Sequence, residues 1–224
     1  MDQLKLTSLQ FALFYRDIIS RPDLEFSDLN SKMMNIFNGI PTSMNLPPEI
    51  PADIPLITYR SESGDYSCSM ARSRIDLHLI KIDEKSNEEI LVDFNSKVTS
   101  LVSYILSKRD IVRFGFICRY FKHSETPIND IKLKYCSSNM SKVADIGIRF
   151  NQTSNFNTWE INDMVEIAAY KMPINGKNED GVFIQRDINN TPVADQTITE
   201  NDLKKISAQY SRLLSQKSIE GLIK

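Results

Sequence analysis

In "ARSRIDLHLIKI", Arg72, Arg74, Asp76 and His78 fall on alternate positions. An extended strand sends alternate side chains to one face, with neighbours two apart separated by roughly 6.8 Å. All four could therefore surround one small anion, while Ile75, Leu77 and Leu79 take the apolar side. The chemistry such a set supports is acid–base. His78 would act as the general acid or base, Asp76 would orient it, and the arginines would hold a phosphate. That kit suits metal-independent RNA cleavage, although such a nuclease also wants a second base or a lysine, which spacing alone does not place. The same alternation fits a polar sheet face whose charges pair across strands for a few tenths of a kcal/mol each. That second reading takes precedence, because every half-buried strand shows one polar face.

A second cationic set lies in "DIVRFGFICRYFKHS", where Arg113 and Arg119 oppose Phe114, Phe116, Cys118 and Tyr120. The two arginines are six positions apart, roughly 20 Å along a strand, too far to grip one carboxylate or phosphate together. With Lys122, Lys132 and Lys134 they would form a basic rim for a single-stranded nucleic acid. Such grooves pair cations with aromatic stacking platforms. No matching aromatic platform is visible, so a solvated sheet face is preferred. The carboxylate pairs Glu88/Glu89 and Glu179/Asp180 suit a helix start and a turn. The single tryptophan, Trp159, is assigned to core or interface.

The wider composition narrows the field. There is no GxxxxGK[ST] loop, GxGxxG, HExxH, GxSxG or paired CxxC,. With only seven glycines, few backbone segments are free to wrap a phosphate, and no cofactor is called. The two histidines, His78 and His123, are too few for a catalytic zinc centre of the usual kind,. Cys68, Cys118 and Cys136 are odd in number and widely spaced, as expected of reduced thiols,. A net charge of −2 gives no global pull toward nucleic acid or anionic lipid,. No apolar run reaches the roughly 18 residues of a membrane span. "MDQLKLTSLQF" lacks the basic start and apolar stretch of a signal peptide, so a cytoplasmic location is expected.

The elements that must position these residues follow from periodicity. "LKLTSLQFALFY" alternates as a half-buried strand. "FSDLNSKMMNIFNG" reads as a helix with Ser27 as N-cap and Gly39 taking a left-handed conformation after its last turn. A proline-rich connection from Gly39 to Pro55 follows, and then a meander of "LITYR", "YSCSMA" and "RIDLHLIKI" turning at Gly64. Glu88–Lys108 carries Ile90, Phe94, Val98, Leu101, Val102 and Ile105 at helical spacing. Strands are expected at Ile111–Phe121, "IKLKY", "ADIGIRFN", "TWEINDMVEIAAYK" and "GVFIQRDI". The stretch 163–171 is also compatible with a helix, and Asn175-Gly176 suits a hairpin tip. "TENDLKKISAQYSRLL" closes as a helix with Thr199 as cap and Asp202 at the capping-box position. The fold class is thus α+β, antiparallel sheet with three main helices on one face. A seam near residues 125–129 divides it into similar halves, 1–125 and 126–224, sharing one core.

Three segments resemble a widespread family of uncharacterised prokaryotic α+β proteins, often encoded near mobile elements or phage-defence genes. They are "VRFGFICRYFKHSETP", "NLPPEIPADIPLITYRSESGDYSCSMARSRID" and "GVFIQRDINNTP" followed by a helix. The resemblance implies an α+β fold and association with a partner protein, and implies no reaction. The preferred function is therefore a non-catalytic protein–protein interaction module. It would act as a homo-oligomer or as a subunit of a phage-defence or toxin–antitoxin assembly, through exposed strand edges such as "IKLKY" and without a membrane. The alternatives are an anion-processing enzyme using Arg72, Arg74, Asp76 and His78, and a single-stranded nucleic-acid binder using Arg113, Arg119 and the three lysines.

Overall fold

Leu9, Phe11 and Leu13, alternating along the first strand, are essentially inaccessible to solvent. That strand, β1 (Lys5–Tyr15), runs through the middle of one antiparallel sheet. The protein is described here from a computed structural model covering residues 4–44, 47, 49–82, 85–136, 142–174 and 176–223. The sheet holds β2 (Thr42–Ser43), β3 (Pro55–Arg60), β4 (Tyr66–Ala71), β5 (Arg74–Ile80), β6 (Ile111–His123), β7 (Gly147–Phe156), β8 (Trp159–Ile174) and β9 (Lys177–Asn190). Their order across the sheet is β2-β3-β4-β5-β1-β6-β9-β8-β7. The seam expected near residue 125 falls between β6 and the helix that follows it, and β6 pairs with β9 across it. One hydrophobic cluster takes residues from both sides of that seam.

Five helices accompany the sheet among the described residues: α1 (Phe26–Lys32), α2 (Asn87–Leu106), α3 (Pro127–Tyr135), α4 (Glu200–Tyr210) and α5 (Gln216–Ile223). Three-ten turns at Pro22–Glu25 and Ser211–Leu214 adjoin α1 and α4. The two long helices form where their caps and apolar stripes place them. Ser86 and Glu89 close a capping box on α2, and Thr199 and Asp202 do the same on α4,. Ile90, Phe94, Val98, Leu101, Val102 and Ile105 of α2 are all buried.

The expected three helices are corrected to five. "IKLKY" belongs to α3 and is not a strand. Pro127 opens this helix, Asp130 lies in its first turn, and Lys132 and Lys134 lie in its last, favourable positions for the helix dipole. Ile131 and Tyr135, one turn apart, face inward, whereas Leu133 between them is 86% exposed. An apolar residue at every second position imitated a strand. The α5 helix carries its buried contact on one residue, Ile219, which is too short a pattern to register in sequence.

Other boundaries shift for local reasons. The α1 helix stops at Lys32 because Met34 and Asn35, not Gly39, take the left-handed conformation. Ser27 lies inside the helix and caps nothing, since the three-ten turn feeds directly into it. Gly39 serves a close approach instead: a Cβ there would lie 2.9 Å from the Arg60 carbonyl oxygen. The stretch 163–171 is strand, within β8. Gly64 and Gly176 hold positive φ at their turns, and Asn175 lies outside the described residues.

Candidate functional site

All five helices pack on the Phe11 side of the sheet. Phe26 of α1 stacks on Tyr59, Tyr66 of β4 hydrogen-bonds Asp93 of α2, and Ser154 of β7 meets Tyr210 of α4. Ser218 of α5 accepts from Arg186 of β9, and Tyr135 of α3 donates to the Leu222 carbonyl of α5. Among the described residues the opposite face carries no helix, and the candidate residues converge there.

Register assembles that face row by row. Phe14 lies between Arg74 and Arg113, Ala12 between Asp76 and Gly115, Gln10 between His78 and Ile117, and Ser8 between Ile80 and Arg119. The rows continue into β9, where Gly115 meets Asn189, Ile117 meets Asp187 and Arg119 meets Gln185. The two sets that sequence kept apart therefore share one surface, bridged by β1.

Arg74 pairs with Asp76, and Arg119 bonds to neutral side chains. The Gln10 amide donates to Asp76 Oδ1 at 2.9 Å, and the Arg74 guanidinium reaches the same oxygen at 2.5 Å. Arg119 donates to Gln185 Oε1 at 2.7 Å, to Gln10 Oε1 at 3.2 Å and to Ser8 Oγ at 3.4 Å. Gln10 thus links Asp76 to Arg119. The guanidinium carbons of Arg74 and Arg113 lie 4.8 and 5.2 Å from the centre of the Phe14 ring, within cation–π range. Asp187 accepts from Asn189 at 3.1 Å. Burial raises its carboxyl above the ordinary range, against that hydrogen bond and the pull of Arg113, Arg119 and Arg149.

Several expected roles are corrected by this geometry. Arg72 precedes β5 and donates to the Ile50 carbonyl, so it does not join Arg74, Asp76 and His78. Asp76 offers its contacts to Gln10 and Arg74 and makes no hydrogen bond to His78. Burial holds the His78 imidazole below its usual range; Asp76 opposes this, and Arg119 and Arg74 reinforce it. The basic rim is also not assembled. Lys132 and Lys134 ride on α3, behind the sheet, and Lys122 alternates to the helix side from Phe121. Sequence also missed Phe14, the aromatic element that it found lacking, although Ser8, Gln10, Ala12 and Phe14 are the complementary set to Leu9, Phe11 and Leu13.

Concave space lies elsewhere. A recess of about 260 Å³ between α2 and α4 is lined by Phe11, Val98, Val102, Phe116 and Leu203. A larger cleft of about 780 Å³, bordered by Lys5, Ile82, Ser86 and Pro173, adjoins the start of α2 and the end of β8. Arg74, Asp76, His78, Arg113 and Arg119 line neither. Among the described residues no three His, Cys, Asp or Glu side chains are placed to hold one metal ion. The cysteines are free; burial pushes the Cys118 thiol up to about 12 and Cys68 higher still, which leaves both unreactive.

One charged pair lies on the wrong side for a surface reading. Arg186 and Asp163 project to the helix face, where Arg186 binds Asp163 at 2.7 and 2.5 Å and also donates to Leu213 O and Ser218 Oγ. Its alternation with Ile184 and Ile188 was the available signal. The pair ties the C-terminal segments to the sheet. No helix among the described residues is long and apolar enough to cross a membrane. Neither a protein-family model nor a curated protein matches the chain.

Proposed function

We propose that this chain is a non-catalytic protein–protein interaction module of the cytoplasm, working with a second copy of itself or as a subunit of a phage-defence or toxin–antitoxin assembly. The observation that carries the reading is the helix-free sheet face, where Asp76, Arg74, Gln10, Arg119 and Gln185 bond to one another. A general acid or base needs reach to a substrate proton and a partner that orients it. His78 donates no orienting hydrogen bond to Asp76, and the group lines neither recess. Pre-organised side chains on an open sheet are instead suited to contact, where little ordering entropy remains to be lost. The defence or toxin–antitoxin context rests on the family resemblance of the three quoted segments.

Affinity capture of the tagged full chain from its own host, followed by mass measurement of the purified complex, tests this. The expected result is stoichiometric association with itself or with one other protein. A monomer that captures nothing overturns it. For the enzyme alternative, growth arrest on overexpression that His78→Ala relieves would be decisive in the opposite direction. A salt-dependent gel shift weakened by Arg113→Ala would favour single-stranded nucleic acid.

A further inference from the structure

The outermost strands of a sheet carry backbone N–H and C=O groups without a neighbour. Proteins blunt such edges with short strands, proline, lysine or bulges. One edge here is blunted: β2 is two residues long and follows Pro41 directly. The other is bare. The β7 strand runs ten residues and pairs with β8 along its whole length without a register shift. No described strand lies beyond it. It contains no proline and no lysine, and Arg149 is its only charged residue. Asn151 to Asn155 are exposed, while Ile148, Phe150 and Phe156 are half-buried against the core.

We propose that β7 pairs antiparallel with β7 of a second copy, about a two-fold axis at Gln152, so that the two sheets become continuous. This rests on the interaction-module reading and names its partner and surface. A two-fold contact uses the same patch twice, so the strand must complement itself. Antiparallel pairing also keeps each face of the sheet on its own side. Centring on Gln152 then sets Ile148 opposite Phe156 and Phe150 opposite Ser154 on the helix side. On the open side it sets Arg149 opposite Asn155 and Asn151 opposite Thr153. Apolar meets apolar at both ends, and the two copies of Arg149 never face each other. Centring on Asn151 instead would match Ile148 with Ser154 and leave Phe156 outside the ladder. A strand with one charge offers little to a strongly charged foreign partner, whereas it is compatible with itself.

The test uses the full chain in sedimentation equilibrium, with a mass of twice 25.7 kDa expected. Asn151→Lys with Thr153→Lys puts like charges opposite each other at two symmetry-related positions, and a roughly tenfold rise in Kd is expected. Asn151→Lys with Thr153→Glu makes both positions opposite in charge and restores the pairing. Both side chains are exposed, and an unchanged thermal melt by circular dichroism confirms that the fold survives. Association indifferent to the lysine pair, or not restored by the Lys/Glu pair, overturns the proposal. A wild-type monomer that still captures another protein overturns it alone, and a monomer that captures nothing overturns the module reading as well.

Discussion

Asp76→Ala tests whether one carboxylate holds the helix-free face together. The Asp76 side chain is 6% exposed and its Oδ1 accepts from both Gln10 and Arg74, whose side chain is 26% exposed. Removing it leaves the buried Gln10 amide without an acceptor, at a cost of about 1–3 kcal/mol. Arg74 loses a charged partner but regains water through its exposed quarter, which reduces its share to about 1 kcal/mol. The expected destabilisation is therefore about 3 kcal/mol, measured by urea unfolding as a lower midpoint with an unchanged slope. Asp76→Asn keeps an acceptor oxygen and should cost about half as much. Arg74→Met combined with Asp76→Ala should cost less than the sum of the single changes, since neither leaves the other's charge unpaired. A loss under about 0.5 kcal/mol for Asp76→Ala, the range of an ordinary surface change, refutes the claim that this carboxylate holds the face together.

Asp163→Ala should cost about 3–5 kcal/mol in the same assay, because Arg186, with an 8% exposed side chain, would keep an unpaired buried charge,. Arg186→Met with Asp163→Leu should recover most of that loss. Gly181→Ala should destabilise by about 2 kcal/mol or more, since its Cβ would lie 2.3 Å from Phe121 Cζ and 2.4 Å from the Lys122 carbonyl oxygen,; a neutral melt would contradict the close approach. The pH profile follows from two groups with opposite signs. A histidine whose folded pKa is depressed destabilises the fold once the unfolded chain begins to take up a proton, so the His78 contribution is lost as pH falls from about 6.5,. Asp187, raised by burial, acts the other way and relieves strain as pH falls through its folded value. His78→Gln should flatten the stability slope between about pH 7 and pH 5; superimposable slopes would remove His78 from the account.

Much of the architecture is legible from alternation and caps. Leu9, Phe11 and Leu13 announce β1, and Ser86 with Glu89 and Thr199 with Asp202 announce the two long helices. The α3 helix was misread because Ile131, Leu133 and Tyr135 have the period of a strand, and only tertiary packing reveals that Leu133 faces water. The candidate site was legible as two sets of polar residues, but not as one surface. Joining them requires the register of β1 against β5 and β6, which pairs residues far apart in the chain, such as Gln10 with His78 and with Ile117. Nothing local to "RIDLHLI" or "RFGFICRY" encodes that Gln10 sits between them.

That non-local bridge also bears on function. Without Gln10, Asp76 would keep only Arg74, and Arg119 would keep only Gln185 and Ser8, so the two halves of the face would no longer be joined. With it, the amide donates toward Asp76 and accepts from Arg119, so both ends of one side chain are fixed by opposite partners. A connected network of this kind holds its side chains in fixed positions. On the interaction-module proposal, the charged face would supply a fixed pattern for recognition, and the β7 edge, beyond which no described strand lies, would supply backbone groups for pairing. The two properties lie on one continuous sheet, and a partner paired at β7 would extend the same patterned surface.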